Sequence, residues 1–280
     1  MTPSGSQLKI ATVAVDQNSE HDDVSDPNKM RAFSLVELLV VIAIIAVLAA
    51  LLLPALNRAK AQSQRAVCTS NLRQIDLGIR IYSDEANDSA PALGQGQKIW
   101  IRYRELLQSY LGLKGPPSPQ DKVFACPADT FYYRFNRANG TMTYTPQSHC
   151  AQSNFLYSSY EFNGGNQATN IDPAIFGVSS LPGISGRKLT TIKHPARTLL
   201  ISEASAFLPH SWHAPQPVLH DPRGFIVPAF NNAKNVVGYV DGHVSYIKIF
   251  WNSSTNVSGY YSFAYFYDPP ADYDYQWSGD

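Results

Sequence analysis

The hydrophobic pattern divides the chain at a few sharp points. From Leu38 to Leu56 it reads LLVVIAIIAVLAALLLPAL without a charged side chain, and the apolar block opens at Phe33, directly after Lys29-Met30-Arg31-Ala32. A bilayer core is crossed by ~20 apolar helical residues, and Phe33 to Leu53 supplies that length. The run exceeds the ~7–15 residues of a secretory signal's apolar region. Its nearest small-residue cleavage candidate, Val47-Leu48-Ala49, is followed by Ala50-Leu51-Leu52-Leu53 rather than by polar sequence. The pattern therefore predicts a retained membrane helix. Glu37 stands near its start, where a carboxylate deep in hydrocarbon costs ~2.5–3.5 kcal/mol or more.

Past Pro54 the pattern changes but stays helical. Residues Asn57 to Arg65 are rich in helix formers, and Leu72, Ile75, Ile79 and Tyr82 then recur at steps of three and four. That spacing gives one apolar stripe. The expected element is a spine from about 33 to 86, kinked or locally unwound at Pro54, whose ring displaces a backbone hydrogen bond. Ile99, Tyr103, Leu106, Leu107, Tyr110 and Leu111 predict a short second helix, ended by Gly112 and the Gly115-to-Pro119 stretch. Beyond it the chain reads as short strands: Phe155–Tyr160, Thr198–Ser202, Phe225–Val227, Val236–Val240, Val244–Phe250 and Tyr260–Tyr267. Gly164–Gly186 lacks an apolar period and reads as a long surface loop. The fold class is α+β, a long N-terminal helical spine packed on a globular domain with an antiparallel sheet.

Composition narrows the function. The 280 residues carry zero formal net charge and only 16% charged side chains, so no broad basic surface argues for nucleic acid. There is no G-x-S-x-G, no H-E-x-x-H and no recognisable carboxylate pair, which leaves little support for a hydrolase or any other enzyme. Asp241-Gly242, flanked by alternating residues, predicts a tight hairpin turn rather than a catalytic aspartate. His210, His213 and His220 have an H-x2-H-x6-H spacing, but interleaved prolines suggest a loop and no acidic or cysteine ligand completes a zinc set. Asp268, Asp272, Asp274 and Asp280 gather in the C-terminal segment and leave open a calcium loop or a solvated acidic tail. Neither a cofactor nor a resident metal is expected.

The segment Ala32-Phe33-Ser34-Leu35-Val36-Glu37-Leu38-Leu39-Val40-Val41-Ile42 resembles the prepilin-type cleavage and methylation motif of type IV pilins and type II secretion pseudopilins. The resemblance implies that a membrane aspartyl peptidase cuts between Ala32 and Phe33 and that Phe33 is then N-methylated. Glycine usually stands where this chain has Ala32. Residues 1–32 would be the leader, 33–86 the helix with its transmembrane part at 33–56, and 87–280 the globular domain. Translation from Met30 would instead leave a leader of Met30-Arg31-Ala32. Glu37 becomes the fifth residue of the mature chain, one turn from a new α-amino cation on the same helix face. A neighbouring subunit's amino group can also neutralise it, which makes Glu37 an assembly residue.

A second resemblance covers Cys68 to Ile75 (CTSNLRQI), Phe124 to Asp129 (FACPAD) and Val236 to Val244 with Asp241-Gly242-His243. These are similar to a pseudopilin-like subfamily with an H-x9-DG segment, although Asn231 occupies the histidine position. Together the resemblances imply a fibre subunit for protein secretion or surface functions. Its partners would be the prepilin peptidase/methyltransferase, other pilin or pseudopilin subunits and inner-membrane lipid. They also imply a single pass through the inner membrane with a periplasmic domain, since Lys29 and Arg31 before the block and Arg58, Lys60 and Arg65 after it leave charge ambiguous about orientation. In that oxidising compartment Cys68 can bridge to Cys126, with Cys126–Cys150 the competing pair. The alternative function is a membrane-anchored binding module that never polymerises, presenting aromatics around Trp251, Tyr260, Tyr261 and Trp277.

Overall fold

The computed structural model describes residues 34–94, 96–136, 141–168, 181–208, 210–215, 233–250 and 267–280. Two compact units divide the chain, Met1–Leu51, described from Ser34 on, and Leu52–Asp280. Helix α1 (Leu35–Glu85) runs through Pro54 without a break, so the predicted local unwinding is not found. Beyond Pro54 it buries Cys68, Asn71, Leu72, Ile75, Asp76, Gly78, Ile79 and Ser83: three of the four stripe residues its period predicts, with Tyr82 only half-buried, plus five others. Leu111 packs close on Gly78: a Cβ there would lie 2.9 Å from Leu111 Cδ2, so that side chain would have to shift. The helix stops where Asn87 and Asp88 take left-handed conformations (φ 54° and 63°), which short polar side chains tolerate.

Helix α2 (Ile99–Leu107) buries Ile99, Ile101, Tyr103 and Leu107, and a 3-10 turn at Ser109–Leu111 follows before left-handed Gly112. Two of its buried residues, Ile101 and Arg104, lie outside the face that periodicity assigned. Arg104 is wholly buried. Its guanidinium donates to Ser118 O at 2.8 Å and to Leu156 O, pairs with Asp121, and lies 4.3 Å above the Phe124 ring. Those partners satisfy a charge that would otherwise be too costly to bury.

Strands β1 (Tyr132–Asn136) and β2 (Thr141–Thr145) pair antiparallel as a separate ribbon that the strand reading missed. The main sheet is an antiparallel meander of β3 (Tyr160–Phe162), β4 (Leu199–Glu203), β5 (Lys234–Tyr239) and β6 (Val244–Lys248), adjacent in chain order. The predicted strand Phe155–Tyr160 is a correction: left-handed Leu156 and Tyr157 follow a 3-10 turn, and extended pairing starts only at Tyr160. Phe225–Val227 and all but the last residue of Tyr260–Tyr267 lie outside the described residues.

The two faces of the sheet serve two cores, and a register shift between Leu199 and Ile201 turns the neighbours Leu200 and Ile201 into the same one. Leu200, Ile201 and Val236 join Leu72, Ile75 and Ile79 of α1 and Tyr103 of α2. Leu199, Val237 and Tyr239 pack instead with Phe207, Tyr275 and Trp277. A sheet covered on both faces accounts for the burial of β4 from end to end and of β5 from Asn235 to Tyr239. The ends of the expected surface loop are also a correction, because Gly164, Gly165, Leu181, Gly183, Ile184 and Ser185 are buried. Ile184 N donates to Asn163 O at 3.0 Å and Ser185 Oγ to Pro91 O at 2.7 Å.

Candidate functional site

The start of α1 is built by a reciprocal pair. Ser34 N donates to Glu37 Oε2 at 2.8 Å, and Glu37 N donates to Ser34 Oγ at 3.1 Å. This is a capping box, which satisfies two of the amides a helix start leaves without partners. The sequence carries its S-x-x-E signature. From Leu35 to Leu56 the large apolar side chains are 44–78% exposed. The segment is long and apolar enough to cross a membrane, and none of its most apolar stretch is buried. So large an unburied apolar surface marks a place where lipid or other protein belongs.

In the second unit, the Asp-Gly turn joins β5 to β6, with Gly242 N donating to Tyr239 O at 2.9 Å and Gly242 at φ 96°. The turn stands on α1. Arg80 reaches from the helix to Val240 O and to Asp76 Oδ2, the latter at 3.3 Å. A Cβ on Gly242 would lie 3.2 Å from Arg80 Nη2 and 3.3 Å from Asp76 Oδ2. Burial pushes the Asp76 carboxyl up to about 6, against the pull of Arg80. Asp241 itself accepts from His243 N at 3.1 Å, and its Oδ1 lies 2.6 Å from His243 Nδ1.

The three cysteines lie around one buried polar region. Cys68 of α1 and Cys126 are paired as a disulfide, their Cα atoms 5.3 Å apart, and Cys150 is free. Asp129 accepts from His149 N, Cys150 N and Ser159 Oγ, each at 2.8 Å. Burial raises its carboxyl to about 6 and these bonds hold it from going higher. Nearby, burial pushes Glu161 up to about 8 and His149 down to about 4, so the two face each other as neutral groups at 3.7 Å near neutral pH. Beside the disulfide, Glu203 at the end of β4 and His213 turn their side chains inward, Oε1 and Nε2 being 2.8 Å apart.

Residues 27–53 match the family model described as the prokaryotic N-terminal methylation motif. The chain carries a prepilin-type signal of the type IV pilin and pseudopilin kind. No curated protein and no solved structure matches the chain.

The prepilin-type signal spans Ala32 and Phe33, which lie outside the described residues, and Glu37, which is described. Among the histidines, His210 Nδ1 is 2.7 Å from its acceptor Leu208 O, and burial pushes the ring down to about 4. His213 points elsewhere, to Glu203 and Cys126, while His220 falls outside the described residues. Of the C-terminal aspartates, Asp268 accepts from Trp277 N and from Ser278 N, the latter at 2.9 Å, and Asp280 pairs with Arg187 at 2.8 Å. Trp277, expected on an exposed aromatic surface, is 1% exposed and belongs to the core; Trp251, Tyr260, Tyr261 and Asn231 are not among the described residues.

Sequence reasoning missed two features of the site. The Ser34–Glu37 box was legible as a capping signature. The convergence of Cys68, Cys126, Glu203 and His213 was not, because residues so far apart in the chain share no spacing to read.

Proposed function

We propose that this chain is a structural prepilin-like subunit. A prepilin peptidase removes the leader between Ala32 and Phe33, the new N-terminus is methylated, and α1 holds the product in the inner membrane with its globular unit in the periplasm. Release into a pilus or pseudopilus then proceeds by packing the apolar part of α1 against the same segment of other subunits. The single observation that carries this reading is the coincidence of the methylation motif with the wholly exposed apolar first part of α1, which bears one carboxylate, Glu37. A simple anchor has no use for that carboxylate beyond capping its own helix, which an uncharged glutamine also does. In a bundle it can meet the amino group of a neighbour, and a buried charge is tolerable when so paired.

The capping box refines the role of Glu37. Its Oε2 serves Ser34 N within the same chain, which leaves Oε1 to receive a second donor. Local capping needs only an acceptor, and glutamine serves at that position too; neutralising a partner's cation needs the charge. Mass spectrometry of the mature N-terminus after co-expression with a prepilin peptidase is the deciding experiment. A chain beginning at methylated Phe33 supports processing, and one beginning at Met1 or after Ala49 overturns it.

A further inference from the structure

We propose that Cys68, Cys126, Glu203 and His213 form, when the cysteines are reduced, a closed four-ligand site for a zinc-class divalent cation. Both Sγ atoms, a carboxylate oxygen and an imidazole nitrogen lie within 4.8 Å of one another. Cys126 Sγ is 3.4 Å from Glu203 Oε1 and 3.7 Å from His213 Nε2. Around a tetrahedral zinc with bonds of ~2.3 Å to sulfur and ~2.0–2.1 Å to nitrogen and oxygen, such ligand pairs stand ~3.5 Å apart. Two of the cross-distances are therefore already at the spacing a metal imposes. The Glu203–His213 pair, at 2.8 Å, must open by a few tenths of an ångström, and the two sulfurs must part.

The chemistry of the surroundings favours a ligand here over a disulfide alone. Glu203 is fully buried and the His213 side chain is 2% exposed. A disulfide sulfur carries no proton, so the approach of Glu203 to Cys126 Sγ gains nothing in the oxidised form. It is rewarded by a thiol proton or by a cation between the two. Two thiolates, an imidazole and a carboxylate are the soft and borderline donors that suit zinc, and such a set carries three negative charges toward a doubly charged ion.

The supporting shell is in place. Val236 N donates to Glu203 Oε2 at 2.8 Å, which leaves Oε1 aimed at the sulfurs. Ser159 Oγ accepts from Cys126 N at 2.9 Å, and Trp212 Nε1 fixes the His213 segment by donating to Phe131 O at 2.7 Å. Outer partners of this kind set ligand orientation. With four protein ligands and their side chains buried no position is left for a water, so the site is structural rather than catalytic.

The two states exchange with a complete balance. Reduction takes two electrons and two protons from a dithiol, whose own sulfurs join as a disulfide, and yields two cysteine thiols. The cation then displaces both thiol protons to solvent. A disulfide oxidant reverses this: it accepts two electrons from the thiolates and two protons from solvent, is itself cleaved to two thiols, and the cation leaves as the Cys68–Cys126 bond re-forms.

The test uses the full chain in detergent micelles, reduced anaerobically with a water-soluble phosphine and freed of reductant, then titrated with Co2+. The expected result is one tightly held equivalent per chain, with visible bands of tetrahedral intensity and thiolate-to-cobalt charge transfer, all displaced by Zn2+. His213→Ala and Glu203→Gln should each weaken binding by more than the ~10–100-fold typical of losing an outer partner. Cys68→Ser should lose charge-transfer intensity. Zn2+ should raise the Tm of the reduced chain and leave that of the oxidised chain unmoved. The proposal is overturned if Co2+ shows no thiolate charge transfer, or if a reduced, folded chain binds no tighter than His213→Ala and Glu203→Gln. It is equally overturned if Cys68 and Cys126 stay bonded in the folded protein under the phosphine.

Discussion

The two units of the chain solve the burial problem in opposite ways. Up to Leu51 the described helix is almost wholly apolar and wholly exposed, with its one carboxylate at the very start. Beyond Leu56 the chain builds two apolar cores and buries with them a set of ionisable side chains: Asp76, Arg104, Asp129, His149, Glu161 and Glu203. An apolar surface left open needs a medium or a partner outside the chain, whereas a charge taken inside needs one within it. Among the described residues of the first unit Glu37 is the one ionisable group, whereas in the second unit such groups are spread through hydrogen-bonded networks.

The sharpest way to break this contrast is at Glu37. Glu37→Ala is expected to insert in the membrane normally and to abolish incorporation into filaments when the rest of an assembly machinery is present, measured by shearing and immunoblotting. Normal assembly of that variant would sink the fibre reading. Glu37→Gln separates the two roles of the side chain: it keeps an acceptor for Ser34, so assembly lost in both variants assigns the effect to charge, and assembly regained assigns it to the cap.

Next in size is Trp277→Ala. It empties the core on the second face of the sheet and should cost ~3–5 kcal/mol, read by chemical denaturation of the full chain in micelles. Membrane insertion should be unchanged, since no residue of that core lies in the first unit.

Glu161→Gln tests the buried charges through pH. A carboxyl raised in the folded state to about 8, from 4.5, holds its proton more tightly folded than unfolded. Stability then falls as pH rises from 4.5 through 8 and the full penalty is present above. The variant should therefore exceed the parent in Tm at pH 9, by an effect on the order of a few kcal/mol, and match it near pH 4.5. Equal pH profiles would show that Glu161 ionises freely. His149 and His210 act in the other sense: held neutral, with pKa pushed down to about 4, they withdraw stability as pH falls below 6.5.

The smallest effect is expected at the turn. Gly242→Ala places a Cβ at φ 96°, close to Arg80 and Asp76, and should cost ~1–2 kcal/mol. A neutral result would mean that the hairpin does not rest on α1 as described.

Legibility in the sequence followed the range of the interaction. The spine was readable because Leu72, Ile75 and Ile79 repeat within a few residues of one another, and the Asp-Gly turn because its conformation is demanded by two adjacent residues. Ribbon β1–β2 was missed although Tyr132, Tyr133, Thr143 and Tyr144 have strand-forming side chains, because no apolar alternation marks a strand that lies apart from the main sheet. Arg104 was lost among the apolar positions of α2, since its partners Asp121 and Leu156 come from later in the chain. The same holds for Trp277, whose burial depends on strands more than thirty residues before it in the chain. The Cys68–Cys126–Glu203–His213 convergence is purely tertiary, and no local pattern announces it.

That placement of Tyr275 and Trp277 has a consequence for the order of events when the protein is made. Every strand of the main sheet is synthesised before them, yet one face of Leu199, Val237 and Tyr239 is closed only when they arrive. A chain synthesised from its N-terminus carries an open apolar sheet face until Tyr275 and Trp277 follow. Long-range closures of this kind are slow and expose a nascent domain to mispairing. Closure of that face in the second unit thus waits for Tyr275 and Trp277, which act as its latch.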